Sequence, residues 1–208
     1  MVQHMTIQCT VPFSSQAAVR GGPGLPWRET RRRCASDLSR LRAHYGLPPG
    51  FKTLASVCLT NSWISVFIFR IAHHLHANGQ RVLARLCFLL NLWLTAAEFM
   101  PQSDVEEGLI VIHTTGTGFD CKMGKNVTLF GRCCIGGNPM NGRDVGAGPG
   151  LPYVQDEAVI GIGALVVGPV LIGRGAWIGP GAIVMKDVAA GAKAIPIPPR
   201  ILGAEPAL

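Results

Sequence analysis

Charge is scarce in this chain. Asp, Glu, Lys and Arg make up 15% of 208 residues against 48% apolar ones, which leaves a large buried core easy to build. Pairing signals for cysteine are missing too. Cys9, Cys34, Cys58, Cys87, Cys121, Cys133 and Cys134 are odd in number and contain no C-x-x-C. Neither a disulfide framework nor a zinc site is indicated, which suits a reducing cytosol. No apolar run reaches the roughly 20 residues of a membrane span. Ser56 to Phe69 and Leu86 to Ala97 are uncharged but are cut short by Arg70, Arg81 and Arg85. Burial against other subunits is preferred for them over attachment to a membrane surface. The N-terminus lacks the basic start, apolar core and cleavage site of a secretory signal. Aromatic residues are 7%. None is interleaved with the early arginines Arg28, Arg31, Arg32, Arg33, Arg40 and Arg42, which carry much of the net charge of +7. A single-strand nucleic-acid binder needs such interleaving, so this cluster reads as a solvated face or mobile arm, with no nucleic-acid partner.

What fills the chain instead is a period of six. Phe99, Val105, Val111, Thr117, Met123, Leu129 and Ile135 stand six apart, and the series resumes at Val154, Ile160, Val166, Ile172, Ile178 and Val184. All but Thr117 are bulky and apolar. The residue four places on is mostly small, as in Ser103, Thr115, Cys121, Ala158, Ala164, Ala176 and Ala182. Six fits neither the 3.6 of a helix nor the 2 of a plain strand. It fits short flat strands joined by tight corners, three to a coil, with the large residue filling each inner corner. The pattern resembles the hexapeptide-repeat family, and the expected fold is mainly β: a left-handed parallel β-helix with an N-terminal helical region.

The chain divides accordingly. Residues 1–26 read as a mobile leader and 27–97 as a helical region. Residues 98–195 read as the β-helix, interrupted by a loop at 140–153, and 196–208 as a C-terminal tail. Helices are expected at 27–45, at 52–77 ending on Asn78-Gly79, and at 80–97. A loop as long as 140–153 between regular coils usually has work to do.

His113 is the one histidine of the repeat. A zinc enzyme on this fold, such as the hexapeptide carbonic anhydrases, needs about three ligand histidines, so that class is rejected and no metal is expected. Arg70-Ile71-Ala72-His73-His74-Leu75, then Glu98-Phe99-Met100-Pro101, then His113-Thr114-Thr115-Gly116 resemble the serine acetyltransferases in order and spacing, over roughly 61–202. That resemblance implies acetyl-CoA as acyl donor, His113 as general base and Glu98 as the carboxylate that orients it. It implies an oxyanion donor at Gly137 in Ile135-Gly136-Gly137-Asn138. The acyl carrier would lie along Gly163, Ala164 and Ala182, with Lys186 and Arg200 toward its phosphates. The family assembles as trimers or pairs of trimers, with the cleft between adjacent β-helices. Two departures concern the acceptor. Gly150 and Leu151 stand where the family carries Arg and His, and Pro206-Ala207-Leu208 lacks the terminal isoleucine that docks into the partner sulfhydrylase. Asn138, Arg143, Asp144 and Tyr153 are the candidates for an altered acceptor pocket. The expectation is a cytoplasmic O-acetyltransferase acting on serine or a serine-like small molecule. A sugar, polysaccharide unit or specialised metabolite is the alternative acceptor, and a non-catalytic scaffold the alternative role.

Overall fold

The structure, a computed structural model, describes residues 24–48 and 50–198. Fourteen short strands wind into a three-sided prism in which every ladder is parallel. The first sheet stacks β1 (Glu98–Phe99), β4 (Gly118–Phe119), β7 (Cys134–Gly136), β10 (Leu165–Val167) and β13 (Ile183–Val184). The second stacks β2 (Asp104–Val105), β5 (Lys122–Met123), β8 (Tyr153–Val154) and β11 (Leu171–Ile172). The third stacks β3 (Ile110–Ile112), β6 (Thr128–Phe130), β9 (Val159–Ile160), β12 (Trp177–Ile178) and β14 (Lys193–Ala194). The chain visits the sheets in the order first, second, third, so one coil is three strands. The six-residue apolar series lies inside: Val105, Met123, Leu129, Ile135, Ile160 and Ile172 are fully buried in one continuous core.

One position departs from the expected frame. Phe99 pairs with Phe119, two residues beyond a full coil, and Phe119 pairs with Ile135, two residues short of one. Phe119, not Thr117, is therefore the inner filler of the second coil, and Thr115 is exposed instead of turned inward. Thr117 takes the small buried slot at 0% exposure; its hydroxyl donates to His113 O (3.2 Å) and accepts from Arg132 N–H (3.0 Å). The two extra residues bulge the bend that carries His113, and the next bend is shortened to recover the phase.

Among the described residues four helices precede the prism: α1 (Trp27–His44), α2 (Phe51–Cys58), α3 (Asn61–Ala77) and α4 (Arg81–Thr95). The single helix expected over 52–77 is broken at Leu59-Thr60, because the Thr60 hydroxyl caps α3 by accepting from Trp63 N–H at 3.2 Å. The start of the leader, residues 1–23, lies outside the described residues. Leu41, Val57 and Trp63 cover Ile110 and Ile112 on the outer face of the third sheet. Phe69 closes the lower end of the prism, edge-on to the stacked rings of Phe99 and Phe119.

Arg33 and Arg40 are structural, which corrects their reading as part of a solvated face or mobile arm, whereas Arg28, Arg31 and Arg32 are exposed. A β-helix corner leaves carbonyls pointing outward, and a guanidinium fork suits them. Arg33 donates to Val105 O (2.8 Å), and Arg40 to Val127 O (3.0 Å) and the Thr128 hydroxyl (2.8 Å). Beneath them Arg70 of α3 and Asp37 of α1, each 1% exposed, form a bidentate pair (2.8 and 3.2 Å). Arg70 also donates to Val105 O and Glu106 O, and Asp37 accepts from Gly108 and Leu109 N–H (2.7 and 2.8 Å). Two helices and the first coil are locked at one point, with both charges answered.

Candidate active site

The bend from the third sheet to the first carries the only exposed imidazole of the β-helix. His113 follows β3 directly and holds φ at 60°, in the left-handed region. The Thr114 hydroxyl ties this bend to the end of α4 by donating to Thr95 O (2.9 Å). One coil above stands Gly131, and a Cβ there would come 2.5 Å from His113 O and 2.9 Å from its Cβ. Higher on the same edge Gly163 N–H donates to Gly131 O (3.0 Å) and Gly181 N–H to Ile162 O (2.8 Å). A Cβ on Gly163 or Gly181 would meet nothing within 4 Å. The edge above the imidazole is thus low and open.

Glu98 opens β1 at the foot of the same edge. Its N–H donates to Thr117 O (2.9 Å), and its exposed side chain lies beside Gly118, where a Cβ would come 3.3 Å from Glu98 Cβ. Glu98 and His113 flank one bend, although among the described residues no hydrogen bond joins their side chains. The strand behind Glu98 is braced by His73, whose Nδ1–H donates to Pro101 O at 3.0 Å. Burial drives the pKa of His73 down to about 4, against the opposing effect of that hydrogen bond, so at neutral pH it is an uncharged brace.

Other expected positions fall elsewhere. Ala164 and Ala182 lie on the His113 edge, but their methyl groups point into the core, so only their backbone faces outward. Gly137, Asn138, Lys186 and the 140–153 loop sit at the bend from the first sheet to the second, across the first sheet from His113. Asn138 N–H is spent on Gly150 O (2.9 Å), and a Cβ on Gly137 would strike Leu151 (2.8 Å). Asp144 folds the loop back on itself, accepting from Gly146 and Gly148 N–H (2.7 and 3.0 Å), and those amides hold its pKa below the ordinary carboxylate value. Arg143 reaches up the prism to Asp187 (3.1 and 2.6 Å), which lowers the Asp187 pKa. Tyr153 lies under the Lys122 ammonium, 4.9 Å from ring centre to Nζ. Arg200 lies outside the described residues. No group of three potential metal ligands occurs among the described residues.

Sequence reading passed over three residues. Gly131 and Arg132 stand one coil above His113, a relation visible once 18 is added to 113. Asp120 faces outward from the first sheet between the rungs of Met100 and Gly136. Gln102 donates to one of its oxygens (3.2 Å), the other is buried with no hydrogen-bond partner among the described residues, and burial raises its pKa. The misplaced Thr117 hid it, because Asp120 faces outward only when Phe119 is the inner residue.

A three-sided parallel β-helix that holds one open imidazole on a glycine-lined edge is the architecture of a hexapeptide-repeat acyltransferase. No protein-family model matches the chain. The serine acetyltransferase of Bacillus pumilus is 31% identical over 157 residues, 74% of this chain and 70% of that one. A serine-bound serine acetyltransferase of Neisseria gonorrhoeae superposes with a TM-score of 0.70 at 22% identity, over 82% of this chain and 68% of that one. The soybean apoenzyme gives 0.71 at 24%, over 83% and 69%. Those two structures share the left-handed β-helix. With the Bacillus relative matched across more than two thirds of both chains, this chain belongs to the serine acetyltransferase family.

Proposed function

We propose that this chain transfers an acetyl group from acetyl-CoA to the hydroxyl of serine or a serine-like small molecule. The observation that carries the reading is the edge itself: His113, exposed on a tied bend, beneath Gly131, Gly163 and Gly181. A hydroxyl is a poor nucleophile near neutral pH. The His113 imidazole takes its proton as the oxygen attacks the thioester carbonyl. The C–O bond forms, the C–S bond breaks, and the proton passes to the departing thiolate. Glu98, at the foot of the edge, orients the ring and stabilises the imidazolium. The acyl carrier lies along the outward backbone of Gly163, Ala164 and Ala182, whereas Lys186 stands on the opposite edge of the first sheet, off that path.

The active assembly is a trimer. The first sheet turns Leu165, Val167 and Ile183 outward at 37%, 37% and 67% exposure, an apolar wall that a neighbouring copy covers. Gly137 and the 140–153 loop lie on the far side of that sheet, so a neighbour packed on it brings a loop of its own to His113. Cys34, Cys58, Cys87, Cys121 and Cys133 form no disulfide, in keeping with a reducing cytoplasm.

One observation favours a different acceptor. By the family resemblance Gly150 and Leu151 stand where Arg and His are expected, and Arg143 and Asp144 are committed to Asp187 and to the loop's own amides. A sugar, polysaccharide unit or specialised metabolite hydroxyl is therefore the second reading. Thiol release from acetyl-CoA across serine, sugar and amino-alcohol acceptors separates the two. His113→Ala is expected to abolish turnover with whichever acceptor works; unchanged turnover would mean a non-catalytic scaffold.

A further inference from the structure

Among the described residues nothing covers the outer face of α4. Ala84, Phe88, Asn91 and Thr95 pack inward, with Asn91 donating to Ser65 O at 3.0 Å. The opposite side exposes Val82 (75%), Leu86 (55%), Leu90 (46%) and Trp93 (81%), with no polar residue among them. Exposure on this scale marks a surface that is covered in use.

Charge decides what covers it. From Leu38 to Ala97 the sequence contains no Asp and no Glu. Arg81 and Arg85 are exposed on the first two turns of α4. Arg28 and Arg31, also exposed, lie near the start of α1, which packs on the end of α3: Trp27 packs against His74 (5.0 Å) and Asn78 donates to Leu25 O (3.0 Å). Within α4 itself, Arg81–Thr95, there is no carboxylate, so a second copy laid on this helix brings Arg81 and Arg85 no partner from the helix. A layer of anionic headgroups over acyl chains answers both features, with arginines against phosphate and leucines and tryptophan at the acyl boundary. Among the described residues no helix is long and apolar enough to cross a membrane, so α4 lies in the plane of the surface. We infer that this face docks the protein peripherally on an anionic phospholipid surface. The inference does not depend on acyl transfer.

The test is cosedimentation of the full chain with vesicles of phosphatidylglycerol and phosphatidylcholine, against phosphatidylcholine alone. Binding to the anionic vesicles only, weakened by salt, is expected. Arg81→Gln with Arg85→Gln should lower the partition by roughly 25-fold, and Leu86→Glu with Trp93→Glu should abolish it while thermal unfolding stays unchanged. Bromolipid quenching of fluorescence should reach Trp93 and vanish in Trp93→Phe. A chain that stays in the supernatant overturns the inference. So does a Leu86→Glu, Trp93→Glu variant that drops to a smaller assembly with no vesicle binding in either form, for then a second copy covers the face.

Discussion

Replacing Gly131 with alanine tests the His113 edge without touching the imidazole. The new Cβ would stand 2.5 Å from His113 O and 2.9 Å from His113 Cβ, where real Cβ contacts stay beyond 3.0 Å. Both neighbours belong to the backbone or its first carbon, so neither can swing away. The bend must retreat by about half an ångström or more, against the Thr117 and Thr114 hydrogen bonds that hold it. Overpacking of this kind costs about 1–3 kcal/mol. A misplacement approaching 1 Å at a reacting group costs on the order of 100-fold in rate. Gly175→Ala is the control. It sits at the bend from the second sheet to the third with φ at 64° and open space around it, so it costs about 1 kcal/mol through left-handed strain alone. Urea unfolding gives the two stability losses, and thiol release at matched folded fraction gives the two rates. Gly131→Ala is expected to fall by one to two orders of magnitude while Gly175→Ala keeps its activity. Equal rates for the two variants would refute the assignment of this edge to catalysis.

Arg70→Met strands the Asp37 carboxylate under α1 and should cost about 3–5 kcal/mol in chemical unfolding, far beyond the loss from an exposed arginine such as Arg28. His73, with its folded pKa lowered to about 4, takes up protons more readily when unfolded. Stability is therefore full above pH 6.5, falls as pH drops toward 4, and then levels off. That slope, up to roughly 3 kcal/mol in all, should disappear in His73→Asn and can be read from urea midpoints across pH. Arg143→Gln frees the 140–153 loop from Asp187 at a cost of under about 1 kcal/mol. Limited proteolysis should then cut the loop faster, and the acceptor KM should rise more than kcat falls.

The prism was legible because its physics repeats. Each inner corner needs one large apolar residue, and the six-residue series shows that need twelve times over. The frame slipped at Thr117 because a two-residue bulge followed by a two-residue shortening leaves the period intact on both sides. Only packing shows that Phe119 stacks on Phe99. The same slip hid Asp120. Arg33 and Arg40 were misread for another reason: their partners are main-chain carbonyls 68 to 87 residues away, as with Arg40 and Gly108 O or Val127 O. A carbonyl leaves no mark in a sequence. His113 and Glu98 were singled out through the family resemblance, and they stand on either side of one bend with no hydrogen bond between their side chains among the described residues. Arg143 and Asp144 have the right chemistry for an acceptor, but the loop uses both to hold its own shape.

The two ends of the prism are finished differently. Below, the ring of Phe69, the buried Asp37–Arg70 lock and a layer of helices close the stack. Above, among the described residues, Val188 and Ala194 are only partly covered, and a hollow of about 330 Å³ opens among Ile183, Met185 and Lys186. Since each coil leans only on its neighbours, loss of order starts at that unfinished rim and travels downward, coil by coil. The bend carrying His113 sits beside the closed floor, among the last parts of the stack to let go.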